Sequence, residues 1–303
     1  MIPFLLTMLF CVTDYTDDWR SEERDRTIPV RIFLPEEESA KPFPVVLLSH
    51  GLGGNRNGFD YLGKAWSSCG YLVVVMQHPG SDSTVQAKRQ AGETRLQALA
   101  RAANADEAKH RAEDVRFVLD ELERRHQSDK KLSGKIDLNR IAIGGHSFGS
   151  QTTFAAVGRL PYKADPRIKA AIVMSPSPVK NFDQVRLYQN IKTPMLHLTG
   201  TNDRSPIQEN FEPKDRRIPF DSITGTDQYL ILFTDGNHML FSGHPRMFGL
   251  TSMEKKCQPI IAEVTRYFLD AYLKDNAEAK AWLCGNGLAE LMQDAGSVEV
   301  KLK

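Results

Sequence analysis

Short apolar runs alternate along this chain with longer segments whose apolar residues recur every three or four positions. Pro44-Val45-Val46-Leu47-Leu48-Ser49, Tyr71-Leu72-Val73-Val74-Val75-Met76, Arg140-Ile141-Ala142-Ile143-Gly144 and Tyr229-Leu230-Ile231-Leu232-Phe233 read as buried strands, as do 168–174 and 195–198. Residues 27–34 predict an edge strand, a position that suits Pro29, paired antiparallel to the region near Cys11. A helix is expected around 61–68. Val115, Val118, Leu119 and Leu122 fall at i, i+3, i+4 and i+7, so a core-packed helix precedes the run at 140–144. Thr251-Ser252-Met253-Glu254 has the form of a capping box, opening a helix whose apolar face carries Ile261, Val264, Phe268 and Tyr272. Strand–helix alternation implies an α/β fold with a mostly parallel sheet and helices on both faces.

Two stretches exceed that minimum. Residues 85–108 are alanine-rich, charged and helical in pattern, either a solvated insertion or part of a cap. Residues 210–226, containing Pro213 and Pro219, read as a long loop that either walls a pocket or lies passively on the surface. At 303 residues the whole chain, 1–303, fits one domain with such insertions.

Composition removes several classes. A formal net charge of +1, with no basic run or aromatic platform, gives nucleic acid nothing to bind. Cys11, Cys69, Cys257 and Cys284 form no C-x-x-C pair and no zinc spacing. Unpaired thiols are expected, the alternative being a Cys257–Cys284 bridge if the C-terminal tail folds back. No histidine–carboxylate cluster has metal-ligand spacing, so no metal is expected. Residues 1–10 are apolar but too short to span a bilayer, and they lack a basic leader and a cleavage site. They read either as part of the first strand or as the remnant of a signal starting upstream, which leaves a cytoplasmic and a secreted location both open.

Chemistry enters at Gly145-His146-Ser147-Phe148-Gly149, directly after the run at 140–144. A strand feeding a sharp turn with a helix behind it lifts one serine clear of the backbone, and flanking glycines admit the close approach of strand and helix. Ser147 is therefore the candidate nucleophile. A serine hydroxyl needs a base, an orienter for the base and donors for the oxyanion. The strand ending at Ser49 runs into His50-Gly51-Leu52-Gly53-Gly54, so the main-chain amides of Leu52 and Phe148 are the candidate donors. His238, after the late strand and the loop Thr234-Asp235-Gly236-Asn237, is the candidate base, with His244 its rival. Asp203, after the strand at 195–198, is the candidate acid, with Asp183 in reserve. His110 and His126 fall in a charged helical stretch, His197 in a strand and His146 inside the turn. His50, Gly51, His78, Met239 and Phe241 flank the chemistry as candidate pocket residues, although structural roles suit His50 and His78 better.

At His50-Gly51-Leu52-Gly53-Gly54-Asn55-Arg56 and Gly145-His146-Ser147-Phe148-Gly149 the chain resembles platelet-activating-factor acetylhydrolases and neighbouring esterases. Similar loops occur in chlorophyllases and in the bacterial cutinase-like, dienelactone-hydrolase-related polyesterases. The order Ser147, Asp203, His238 agrees with that of α/β-hydrolases. The resemblance spans residues 28–274 in element order and implies an α/β-hydrolase fold with a sheet of about eight strands. It further implies a cofactor-free carboxylic ester hydrolase acting through an acyl-enzyme on small short- to medium-chain esters. One departure matters. The acetylhydrolases carry their acid just after the strand that follows the nucleophile's helix, where this chain reads Met174-Ser175-Pro176-Ser177-Pro178. A later strand end must supply the carboxylate, which favours Asp203 and weakens a phospholipid assignment. A peptidase or acyltransferase using the same residues, and a hydrolase fold kept as a non-catalytic binding protein, are the alternatives.

Overall fold

Continuous apolar runs become strands buried on both faces because helices cover each side of the sheet. The computed structural model of the chain describes residues 11–36, 41–179, 181–208, 210–244 and 249–303; the reading of residues 1–10 falls outside them. In chain order the strands are β1 (Val12–Ser21), β2 (Arg26–Pro35), β3 (Phe43–Ser49), β4 (Leu72–Met76), β5 (Ile136–His146), β6 (Ile168–Met174), β7 (Met195–Asn202), β8 (Gln228–Asn237) and β9 (Gly296–Lys301). They form one sheet in the order β1-β2-β4-β3-β5-β6-β7-β8-β9. Pairing from β4 through β8 is parallel, while β1, β2 and β9 add antiparallel strands at the two edges.

The helices are α1 (Asp60–Ser67), α2 (Thr84–Ala87), α3 (Arg95–Ala102), α4 (Ala105–Ser128), α5 (Phe148–Ala156), α6 (Gln184–Tyr188), α7 (Ile218–Ser222), α8 (Ser252–Leu273), α9 (Ala277–Cys284) and α10 (Gly287–Met292). Strand periodicity divides the core. Val46 and Leu48 of β3 belong to the core cluster on the side of α1, α8, α9 and α10, while Val45 and Leu47 belong to the one on the side of α4, α5 and α6. The stripe Val115, Val118, Leu119 and Leu122 is buried as its spacing predicts, and Thr251 and Glu254 close the capping box of α8. Among the described residues no helix is long and apolar enough to cross a membrane, and all four cysteines are free.

The nine strands agree with the mostly parallel sheet of about eight that was expected. The addition is β9, whose Gly296-Ser297-Val298-Glu299-Val300-Lys301 is mostly exposed and offers no apolar run to read. Three sequence expectations need correction. Residues 27–34 are not the edge. β2 lies between β1 and β4, and Pro29 is accommodated because pairing to β4 starts only at Val30. Thr234–Asn237 is strand, not loop, so β8 runs directly up to His238. Residues 210–226 hold a 3₁₀ turn, Pro213–Arg217, and α7. The stretch 85–108 breaks into α2, α3 and the start of α4. Leu52 and Leu99 join Val85, Ala98 and Ala102 in a small apolar cluster, so this stretch backs the loop after β3.

Burial of three histidines is expected to make the fold sensitive to acid. An ordinary imidazole titrates near 6.5, but burial pushes His78 down to about 4 and His146 and His197 down to about 3. Between those values the unfolded chain binds more protons than the native one. Stability is thus full above about pH 6.5 and falls as the pH drops toward 3, by up to about 1.4 kcal/mol per pH unit for each histidine. His197 lies between the rings of Phe154 and Phe220, at 6.3 and 5.5 Å. His197→Phe is expected to flatten the slope of urea-unfolding free energy against pH, and an unchanged slope would clear His197 of that role.

Candidate active site

The crevice forms where the chain turns opposite ways on leaving two neighbouring strands. β3 leads through α1 to β4 on one side and β5 leads through α5 to β6 on the other, and the loops after β3 and β5 face each other at their carboxyl ends. Ser147 sits between β5 and α5 at φ 56° and ψ −116°, a strained conformation for a residue with a side chain. The neighbouring glycines are obligatory here. A Cβ at Gly149 would lie 1.9 Å from the Ser49 carbonyl oxygen, and one at Gly145 would lie 2.2 Å from that of Gly149. Ser150, where a third glycine is common, donates its hydroxyl to the carbonyls of Gly145 and Met174.

The structure brings Ser147, His238 and Asp203 together. His238 Nε2 is 3.0 Å from Ser147 Oγ, and His238 Nδ1 is 2.8 Å from Asp203 Oδ1. The carboxylate can only accept, so the proton sits on Nδ1 and Nε2 is free to take the serine's. Thr199 donates to Asp203 Oδ2 at 2.9 Å. Burial works to raise the Asp203 pKa, but the hydrogen bond from His238 and the charge of Arg216 outweigh it and hold the group below the ordinary aspartate value. Asp203 is fully buried, whereas Ser147 is only half-buried and reachable from outside. His244 lies instead against Gly54 and Gly58, and Asp183 caps α6 by accepting from the Arg186 amide.

Gly51 borders Ser147, since a Cβ there would fall 3.3 Å from Ser147 Cβ and 3.1 Å from His146 Nδ1. Among the described residues neither the Leu52 nor the Phe148 amide donates to a protein acceptor, while the Gly53 amide is taken by the Ser81 carbonyl. Phe148 also opens α5, whose positive end favours an anion. His146 donates from Nε2 to the His238 carbonyl at 2.7 Å, tying the turn to the base.

Three of the candidate pocket residues do not line open space. His50 is buried, accepting from the His78 amide at Nε2 and donating from Nδ1 to the Gly51 carbonyl. Phe241 is buried against Phe233. His78 belongs to a second serine–histidine–aspartate chain: its Nε2 is 2.9 Å from Ser49 Oγ and its Nδ1 2.9 Å from Asp114 Oδ2. All three of those side chains are wholly buried, so no substrate reaches them; they fix the end of β3. Met239, beside His238, is 42% exposed, while Gly51 is buried against Ser147 and His146.

Sequence reading missed Arg216, in the 3₁₀ turn at Pro213–Arg217. Its Nε lies 3.1 Å from Asp203 Oδ1 and its Nη2 3.0 Å from His238 Nδ1. Nη1 donates to the Ser175 and Pro176 carbonyls, where the acetylhydrolase-like acid was absent. A buried cation thereby braces the ends of β6 and β7. No sequence signal marks it: 210–226 carries several charges, and only the fold turns this one inward. Among the described residues no group of histidine, cysteine and carboxylate side chains is arranged to hold a metal ion.

Comparison with known proteins gives a consistent picture. A family model described as alpha/beta hydrolase fold matches residues 44–196. A platelet-activating factor acetylhydrolase of Cavia porcellus is 24% identical over 216 residues, covering 59% of this chain and 46% of that protein. A bis(hydroxyethyl) terephthalate hydrolase of Streptomyces coelicolor is 22% identical, covering 84% and 64%. A cutinase of Thermobifida alba is 21% identical, covering 78% and 66%. The chain thus spans between 46% and 66% of the length of these curated relatives.

Proposed function

The chain belongs to the alpha/beta hydrolase fold family, and on that premise we propose that it is a serine carboxylic ester hydrolase working through an acyl-enzyme. The observation that carries the reading is the relay from Ser147 Oγ through His238 to Asp203, at 3.0 and 2.8 Å, with the serine on a strained turn reachable from outside. Similarity to an acetylhydrolase, a terephthalate diester hydrolase and a cutinase supports ester chemistry in particular.

In this reading Ser147 attacks the ester carbonyl while His238 Nε2 takes its proton. The imidazolium is stabilised by Asp203, and the Leu52 and Phe148 amides receive the oxyanion. His238 then protonates the leaving alkoxide, leaving an acyl group on Ser147. Water, deprotonated by the same histidine, releases the acid and restores the serine. The substrate is a small-molecule ester with a short to medium acyl chain.

A series of p-nitrophenyl esters from acetyl upward, run beside bis(hydroxyethyl) terephthalate and an acetylated phospholipid, tests this. Turnover concentrated on acetyl to butyryl esters is expected. A strong long-chain preference would redirect the assignment to a lipase, and hydrolysis of peptides with all esters untouched would overturn it.

A further inference from the structure

We propose that Arg111 is a positioning residue that holds the two oxyanion-donor segments in register. This rests on the esterase reading above. Arg111 projects from α4, far in sequence from Ser147, and is wholly buried. Its Nη1 donates to the His50 carbonyl at 2.7 Å and its Nε to Ser81 Oγ at 2.8 Å. Its Cζ also lies 4.6 Å from the centroid of the Phe148 ring. One planar group thus grips the root of the loop that carries Leu52 and covers the side chain of the residue supplying the other amide.

The same loop is held from Ser81 as well, whose carbonyl accepts from the Gly53 amide at 2.9 Å. Arg111 therefore fastens the loop at His50 directly and at Gly53 through Ser81. One turn further along α4, Asp114 anchors His78, whose amide donates to His50 Nε2. Polar anchoring of the oxyanion loop from α4 thus complements the apolar backing of Leu52 by Val85, Ala98 and Leu99.

The chemistry of Arg111 points the same way. A buried guanidinium is costly, and an ion pair usually offsets the cost. Among the described residues no carboxylate lies within ion-pair distance of Arg111; its polar contacts are the His50 carbonyl, the Ser81 hydroxyl and, at 3.3 Å, His50 Nδ1, and the charges of Asp114, Glu107 and Asp82 only partly offset its burial. Burial accordingly lowers its pKa to about 9. For packing alone a methionine would fill this place at less cost. What an arginine adds is rigid, forked donation combined with a flat face for an aromatic ring. Oxyanion donors act only when aimed at the charge as it develops, and a displacement of about 1 Å costs on the order of a hundredfold in rate.

The test compares the full-length wild type with Arg111→Met, Arg111→Lys and Ser147→Ala. Active sites are counted by fluorophosphonate titration, and folding is checked by thermal unfolding. The readouts are kcat and KM on the best p-nitrophenyl ester and inhibition by an alkylboronic acid, which forms a tetrahedral adduct on the serine. Arg111→Met is expected to lower kcat per titrated site by about 10- to 100-fold with KM within about twofold. The boronate inhibition constant should rise by the same factor. Arg111→Lys keeps the cation and one donor but not the fork or the flat face, and is expected to lose about fivefold. If the methionine variant does not fold, the lysine variant decides by the same two readouts. A folded variant with unchanged kcat and boronate affinity overturns the role of Arg111, provided Ser147→Ala is inactive. Turnover that persists in Ser147→Ala would instead overturn the esterase reading itself.

Discussion

Ser147→Ala is expected to lower kcat by about a millionfold while leaving the fold intact. No nearby hydroxyl can replace the lost one. Ser150 Oγ is committed to the Gly145 and Met174 carbonyls, and Ser49 Oγ is buried against His78. The stability cost should be small because, among the described residues, the only hydrogen-bond partner of Ser147 Oγ is His238 Nε2, and Ser147 is only half-buried. Alanine keeps the Cβ, so the backbone strain at φ 56° is unchanged. Residual catalysis of about 10³–10⁴ over water would reflect the oxyanion donors and substrate binding. A fluorophosphonate should label the wild type and not the variant. Label that persists in the variant removes Ser147 from the chemistry.

Asp203→Asn should cost about 10⁴ in kcat, and the surroundings explain why an apparently mild change does so much. Two groups compete for His238 Nδ1. Asp203 Oδ1 accepts its proton at 2.8 Å, while Arg216 Nη2, which can only donate, lies 3.0 Å away. With the carboxylate present, Nδ1–H is favoured and Nε2 is left as the base. An asparagine removes the negative charge and can present its own N–H. Arg216 then favours the tautomer that accepts at Nδ1 and carries its proton on Nε2, where it blocks deprotonation of Ser147. The rate of fluorophosphonate labelling, followed beside kcat on an acetyl ester, reads this directly. A loss below about tenfold would mean that another group orients the imidazole.

The candidate site positions were readable because each follows an apolar run that has to be a strand. Ser147 comes after β5, Asp203 after β7, His238 after β8 and Leu52 after β3. In a parallel sheet those ends converge, so strand order alone gathers the candidates at one edge. The supporting cations were not readable. Arg111 sits among charged residues of α4 and Arg216 among those of 210–226, and only tertiary packing decides which arginine turns inward. β9 escaped for the opposite reason, since a half-exposed edge strand carries no hydrophobic signature. His78 takes the structural role that the sequence reading favoured. It ends a strand facing the crevice, but a partner on a distant helix, Asp114, draws it into the interior.

The extension of β8 to Asn237 sets how firmly His238, the proposed base, is held. Paired to β7 through Asn202 and Asn237, and with no room for a side chain where Gly200 meets Gly236, the strand delivers His238 from a braced ladder instead of a free loop. Fixing such a residue costs about 1–2 kcal/mol per backbone position, and here folding has already met that cost. The imidazole therefore stands ready before any molecule arrives. Onset of turnover in a stopped-flow trace should show no lag, at a soluble monomeric ester as much as at a surface.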